Sequence, residues 1–98
     1  MVHFTFASEV FRWKPDQAWY FATVPEDVTD AIRSLPLPPK GFGSVRVRVE
    51  VGASRWETSL FPDSARGCYL LPLKKAVRTA EELDEGATAH VTLTIRDV

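Results

Sequence analysis

The sequence predicts a mainly β protein, a small closed or nearly closed barrel of about six strands capped by two helices. Several short segments alternate apolar and polar residues, which is typical of strands with one buried face. Two segments that follow prolines instead carry apolar residues at helical spacing. A chain of 98 residues has room for one core and no second domain, so residues 1–98 are expected to form a single domain.

The first half of the chain predicts two strands, a helix and a third strand. Residues 2–11 alternate and residues 18–24 are aromatic and β-branched, so we expect a hairpin around a turn at residues 13–17. Residues 25–35 predict a helix, because apolar side chains recur at i, i+3, i+4 and i+7. These side chains are Val28, Ala31, Ile32 and Leu35. After a glycine-bearing turn at residues 40–43, valines alternate with charged residues from Val45 to Val51.

The second half predicts the same order of elements. Residues 55–61 return as a hairpin partner, residues 62–67 form a loop, and residues 68–71 form a short strand that Pro72 stops. A second short helix is expected from the apolar spacing of Leu73, Ala76, Val77 and Ala80. Gly86 suits a left-handed turn before the final strand at residues 87–96.

Strand, proline, helix, glycine-bearing turn and strand therefore occur twice along the chain. Residue identity between the two segments is low, but element order and apolar spacing agree. We interpret them as a pseudo-two-fold pair of β-α-β units. Neither unit alone would bury its helix stripe and its strand face, so the pair is expected to close one barrel.

Four motifs carry a resemblance to a known family over almost the whole chain. They are WYFATVP at residues 19–25, GSVRV at 43–47, WETSLFP at 56–62 and GCYLLPLKKAVR at 67–78. Their order resembles the small bacterial and archaeal family called domain of unknown function nineteen-oh-five. The resemblance implies a double-split β-barrel capped by helices and no established activity. It also implies a bacterial setting, in which related domains often lie beside bacteriocin-protection domains of the YdeI type.

The chain departs from this family before its last strand. Members usually have Gly-Asp there, whereas Gly86 is followed by Ala87, which puts the local turn geometry in doubt. Residues 71–78 are also similar to the swapped-hairpin unit of dimeric DNA-binding transition-state regulators and antitoxins. Since both halves lie in one chain here, closing the barrel needs no dimer, and a monomer is expected.

Composition limits the classes of partner. The net charge of −1 does not favour a nucleic-acid or membrane binder, because such proteins usually carry an excess of positive charge. The single cysteine cannot build a disulfide framework, and the N-terminus shows no secretory signal, so a cytoplasmic location is expected. No apolar run is long enough to span a membrane.

The most economical functional hypothesis is a non-catalytic domain that binds a small ligand or a protein. A basic patch of Lys74, Lys75 and Arg78, with Arg46 and Arg48 on the polar face of the valine-rich strand, could bind phosphate. Nucleic-acid binding through these residues is the alternative. Trp56 is the candidate aromatic of a ligand groove, although packing in the core is the simpler interpretation for most of the aromatic residues.

An enzyme is the third hypothesis, with Cys68 as nucleophile and His3 or His90 as base. Neither histidine has a recognised catalytic spacing, and a buried, unreactive Cys68 and a solvated His90 are the simpler expectations. No metal-ligand spacing and no phosphate loop occurs, so neither a metal nor a cofactor is expected.

Overall fold

The computed structural model describes residues 2–13, 18–37 and 43–96. In this part of the chain, six strands and two helices follow one another. Their order is β1 (Val2–Arg12), β2 (Tyr20–Thr23), α1 (Glu26–Arg33), β3 (Val45–Val51), β4 (Ser54–Asp63), β5 (Cys68–Pro72), α2 (Lys75–Ala80) and β6 (Thr88–Ile95). None of the helices in these ranges is long and apolar enough to cross a membrane.

The strands form a closed antiparallel barrel in the order β1-β2-β5-β4-β3-β6, which confirms the predicted mainly β barrel with two helices. Two strands change neighbours along their length. Residues 2–9 of β1 pair with β6 and residues 10–12 pair with β2. Residues 54–60 of β4 pair with β3 and residues 61–63 pair with β5. Residues 54–60 of β4 therefore do not pair with β5, whose chain continues directly into α2.

The core lies inside the barrel, and the predicted alternation of β3 is confirmed. Val47 and Val49 are fully buried and pair with Ile95 and Leu93, which are also fully buried. Residues at paired positions in neighbouring strands share one face of the sheet, so these four side chains lie side by side in the interior of the barrel. Burying each of these side chains contributes about 1.5–3 kcal/mol to the free energy of folding.

The two halves of the barrel are related by a pseudo-two-fold exchange. Exchanging β1 with β4, β2 with β5 and β3 with β6 leaves the order of the strands unchanged. The backbone shows the same relation, because Val24 N donates to Tyr69 O and Leu73 N donates to Tyr20 O, each at 2.9 Å. Tyr20 therefore corresponds to Tyr69, and Val24 to Leu73. The repeat includes β1 and β4 and is thus larger than the predicted β-α-β unit.

The apolar stripe expected on the second helix is wrong in two positions. Ala76 and Ala80 are exposed, and Val77 alone of the residues in α2 is buried. The reason is that Lys74 has an extended backbone, with ψ of 156°, so Leu73 is buried from the extended segment before the helix begins. Leu83, after the helix, supplies a further buried side chain.

The first helix also differs in detail from its prediction. It spans Glu26–Arg33 and buries Thr29 beside Val28 and Ile32, whereas Ala31 and Leu35 are half-buried. Residues 14–17 of the first predicted turn and residues 40–42 of the second lie outside the described residues. Gly86 has the expected positive φ, 89°.

Candidate binding groove

Four of the six predicted binding residues line one groove of about 380 Å³ beside α2. They are Trp56, Lys74, Lys75 and Arg78. Tyr20 and Trp19 from β2 and the segment before it line the opposite side. We call this feature the cationic groove. It joins three cations to aromatic side chains from separate parts of the chain.

The path of β4 explains why Trp56 reaches the cations. Trp56 and Thr58 lie on the stretch of β4 that pairs with β3, before residues 61–63 pair with β5. Their side chains share a face with Val49 and Val47, and Trp56 is half-buried against the core. On the other side, β5 ends at Pro72 and leads directly into α2. The helix therefore forms the second wall of the opening.

Arg78 is the best-fixed cation of the groove. Its Nε donates to Leu73 O at 3.1 Å, and its Cζ lies 3.8 Å from the centroid of the Tyr20 ring. A guanidinium at this distance is attracted by the face of the ring. The side chain is only half-buried, so the charge remains accessible from the groove.

In the first half of the chain, the position equivalent to Arg78 is occupied by Thr29, which has a hydroxyl instead of a guanidinium. Thr29 N donates to Pro25 O at 2.8 Å and Arg78 N donates to Lys74 O at 3.1 Å, which pairs Thr29 with Arg78. Thr29 Oγ1 donates to Val24 O at 3.1 Å and accepts from Tyr69 N at 3.3 Å. The hydroxyl is fully buried there.

By the same correspondence, Lys74 matches Pro25 and Lys75 matches Glu26. The second half thus carries three cations where the first half carries a proline, a carboxylate and a hydroxyl. The pseudo-two-fold barrel is electrostatically asymmetric, and the cationic groove belongs to one half.

Arg46 and Arg48 do not line the cationic groove; both are exposed on the outer face of β3. Arg48 lies 3.9 Å from a carboxylate oxygen of Glu57. The other oxygen of Glu57 accepts from Arg96 at 2.6 Å. Glu57, on the rim of the groove, is therefore already shared between two arginines.

The interpretation of the aromatic residues as core is wrong for three of them. Trp13 is 40% exposed, Trp19 is 64% exposed and Phe61 is 46% exposed. They surround a second groove of about 460 Å³, which we call the aromatic groove. Its floor includes Phe21, whose ring centroid lies 5.8 Å from that of Trp13 and 6.4 Å from that of Trp19.

The aromatic groove lies on the outer face of the sheet formed by β1, β2, β5 and β4. Phe21 pairs with Phe11 and Pro72, whereas the neighbouring Ala22 pairs with Val10 and Leu71 on the inner face. The signal in the sequence is the occurrence of aromatic residues on both parities of residues 18–24, which forces some of them outward.

Beside this groove, the loop after β4 is fastened by Arg66. Its guanidinium bonds the Asp63 carboxylate and lies 4.6 Å from the Phe11 ring centroid. The hydrogen bond from Arg66, together with that from Ala65 N, lowers the pKa of Asp63 below its ordinary value. Asp63 therefore remains ionised and engaged by a cation.

Among the described residues, Cys68 and the two histidines of the enzyme hypothesis lie on different strands with other partners. Cys68 is buried at the start of β5, where it pairs with Asp63. His90 is exposed on β6 opposite Ala7, and His3 bonds Thr94 at 2.9 Å. The expected burial of Cys68 and exposure of His90 are confirmed. In the described ranges, no group of three or more His, Cys, Asp or Glu residues could hold a metal ion.

Comparison with known proteins agrees with the resemblance of the four motifs. No curated protein matches the chain. A family model described as Domain of unknown function (DUF1905) matches residues 6–93. The match covers the barrel from β1 to β6, and the chain belongs to this family.

Proposed function

We propose that this domain is a non-catalytic binding module whose cationic groove takes a small anionic ligand. The observation that carries the proposal is the convergence of Lys74, Lys75 and Arg78 on one concave surface with Tyr20 and Trp56. Cations supply the charge complement of a carboxylate or phosphate. Aromatic walls add contact area and orientation for the rest of the ligand.

The charges of the two lysines are available to a ligand. Both side chains are exposed, and within the described ranges neither lysine makes an ion pair. Glu57, the carboxylate on the rim, is held by Arg96 and Arg48. An incoming anion therefore meets positive charge that the fold has not already neutralised.

Helix stability does not explain Lys74 and Lys75, whereas Arg78 lies in the last turn of α2, where the helix dipole favours a cation. In α1 the first turn carries Glu26 and Asp27, which the positive end of a helix favours. In α2 the first turn has no acidic residue; Lys75 is its first residue and Lys74 precedes it as the N-cap. Cations at such positions weaken a helix, which supports a role in binding.

A small ligand fits the dimensions better than a protein partner. The groove is concave, and its volume of about 380 Å³ falls in the range of small-molecule sites. The domain contains the reporters for a binding measurement, since Trp56 and Trp19 both line the groove.

Titration with benzoate tests the proposal, with benzyl alcohol as the neutral probe of similar size and tryptophan fluorescence as the readout. We expect benzoate to bind and benzyl alcohol to bind at least tenfold more weakly. The double variant Lys74→Ala/Lys75→Ala should weaken benzoate binding about tenfold, because two exposed ion pairs of about 0.7 kcal/mol each sum to that factor.

Arg33→Ala is the matched control, because Arg33 lies over Tyr69 as Arg78 lies over Tyr20. It should leave the affinity for benzoate unchanged. Equal affinities of the double variant and the wild type would overturn the proposal. Binding of generic duplex DNA that falls with salt and is lost in a Lys74→Ala/Lys75→Ala/Arg78→Ala variant would favour the nucleic-acid alternative instead.

The remaining attributes of the module are part of the same proposal. The division of β1 and β4 between two sheets supports the double-split description of the barrel. A closed barrel within one chain supports a monomer, which small-angle scattering would measure directly. A cytoplasmic location and a bacterial setting are part of the proposal, as the composition and the resemblance of the four motifs lead us to expect.

A further inference from the structure

The cationic and aromatic grooves are neighbours. Trp19, Phe21 and Pro72 line both of them, so the grooves lie on either side of these three residues at β2 and the end of β5. A ligand that occupies both grooves would therefore lie across these side chains.

The two grooves differ in what they offer a ligand. The cationic groove presents Lys74, Lys75 and Arg78. The aromatic groove presents Trp13, Phe61 and Leu70, with Asp63 and Ser64 as its polar members. Because Asp63 is already bonded to Arg66, this second groove offers no free charge to a ligand.

The geometry points to an amphipathic anion as the ligand, with its carboxylate or phosphate in the cationic groove and its apolar body over Trp19 and Phe21 in the aromatic groove. This inference rests on the proposed function and adds the class of ligand. Charge complementarity fixes the anionic end. Apolar contact with the exposed aromatic rings fixes the other end, because covering them removes apolar surface from water.

The size of the aromatic groove supports an apolar body of several carbon atoms. Its volume of about 460 Å³ exceeds that of the cationic groove, and three exposed aromatic residues, Trp13, Trp19 and Phe61, line it. Trp19 is more exposed than Trp13 or Phe61, and it lines both grooves.

A series of straight-chain carboxylates tests the inference: acetate, butanoate, hexanoate and octanoate, with octan-1-ol as the uncharged member and tryptophan fluorescence as the readout. Full burial of a methylene changes affinity by about fourfold. We expect affinity to rise about two- to fourfold for each added methylene, and octanol to bind at least tenfold more weakly than octanoate. The same series with alkyl phosphates separates a carboxylate head from a phosphate head.

Two kinds of variant separate the two grooves. Phe61→Thr changes the aromatic groove alone and retains a residue suited to a strand, and it should flatten the dependence on chain length. Trp13→Thr is the second variant of this kind. Lys75→Ala should weaken every carboxylate by the same factor and leave the slope unchanged. Circular dichroism of each variant confirms that the barrel is intact.

The outcomes distinguish the failure of each idea. If acetate and octanoate bind equally and both depend on Lys75, the amphipathic ligand is excluded and the anion site stands. If affinity rises with chain length and Lys75→Ala has no effect, the anion site is excluded, and with it the amphipathic anion. A slope that Phe61→Thr and Trp13→Thr both leave unchanged also overturns the inference.

Discussion

Arg78→Thr gives the second half of the barrel the residue that the first half carries at the equivalent position. The substitution removes the guanidinium, which lies 3.8 Å from the Tyr20 ring. It supplies a hydroxyl in its place. At position 29 such a hydroxyl bonds the Val24 carbonyl at 3.1 Å, so the introduced group is positioned to bond the equivalent carbonyl of Leu73. Stability and binding should therefore respond very differently.

The loss of stability should be modest. The half-buried contact of Arg78 with Tyr20 contributes about 1 kcal/mol, and the bond to Leu73 O is replaced. For a domain of this size, about 1 kcal/mol lowers Tm by about 4–8 °C. The loss of affinity should be large, because a hydrogen bond to a charged group contributes about 1.5–3 kcal/mol. The Kd for benzoate should therefore rise by about 10- to 150-fold.

Fluorescence titration with benzoate and a thermal melt measure the two quantities on the same sample. Arg33→Thr is the control, since Arg33 lies 5.5 Å from the centroid of the Tyr69 ring and bonds the Gly67 carbonyl, and none of these three residues lines the groove. It should change Kd by less than about twofold, because no contact with the ligand is lost. An unchanged Kd for Arg78→Thr would refute the reasoning, as would an equal rise in the Arg33→Thr control.

Three further predictions concern the fold. Val47→Asp places a charge at a fully buried position and should abolish the cooperative melt, since the cost is comparable with the about 5–15 kcal/mol that stabilises a domain; an unchanged melt would show that the side chain faces outward. Gly52→Ala should lower the free energy of unfolding in urea by about 1–2 kcal/mol, because φ is +57° and a Cβ would clash with the Glu81 carboxylate; an unchanged urea midpoint would contradict this. Asp63→Asn should lower Tm at pH 7, and the difference from wild type should shrink as the pH falls below the ordinary carboxyl pKa of 3.8. The sign follows because the Arg66 bond lowers the pKa of Asp63, so the stability it contributes is present above the unfolded pKa and lost as the pH falls through the folded one; a difference that grows in acid would contradict it.

The sequence predicted the barrel wherever burial follows a simple period. The valines of β3 alternate without interruption, so the inward face could be assigned before the structure was known. The second helix was less predictable. Leu73 has the spacing of a helical residue relative to Val77, but the backbone at Lys74 is extended, and local spacing cannot report that change of conformation.

The site was partly predictable for similar reasons. Lys74, Lys75 and Arg78 are neighbours along the chain, and one short segment brings them together. The position of Trp56 in the groove depends on where β4 changes its partner from β3 to β5, and this pairing between distant strands is not visible in the local sequence. The alternation of β3 predicts that Arg46 and Arg48 lie on its polar face, and the structure confirms this; local alternation cannot report that this face does not line the groove.

The exposed aromatic residues show that composition alone cannot assign a large apolar side chain to the core or to the surface. Large apolar side chains are usually assigned to a core, and Leu60 and Leu71 do lie there. Phe61 follows Leu60 directly, so its side chain points to the opposite face and is exposed. The outer face of this sheet is apolar, which an inventory of residue types does not reveal.

The central claim is that the cationic groove beside α2 binds an anion, whereas the pseudo-equivalent site beside α1 does not. Backbone amide shifts measured by NMR during titration with benzoate test it most directly. We predict saturable shifts at Tyr20, Trp56 and residues 74–78, with the equivalent Tyr69 and residues 26–29 unmoved. Shifts of equal size at the two equivalent sites, or shifts confined to residues 26–29, would contradict the account.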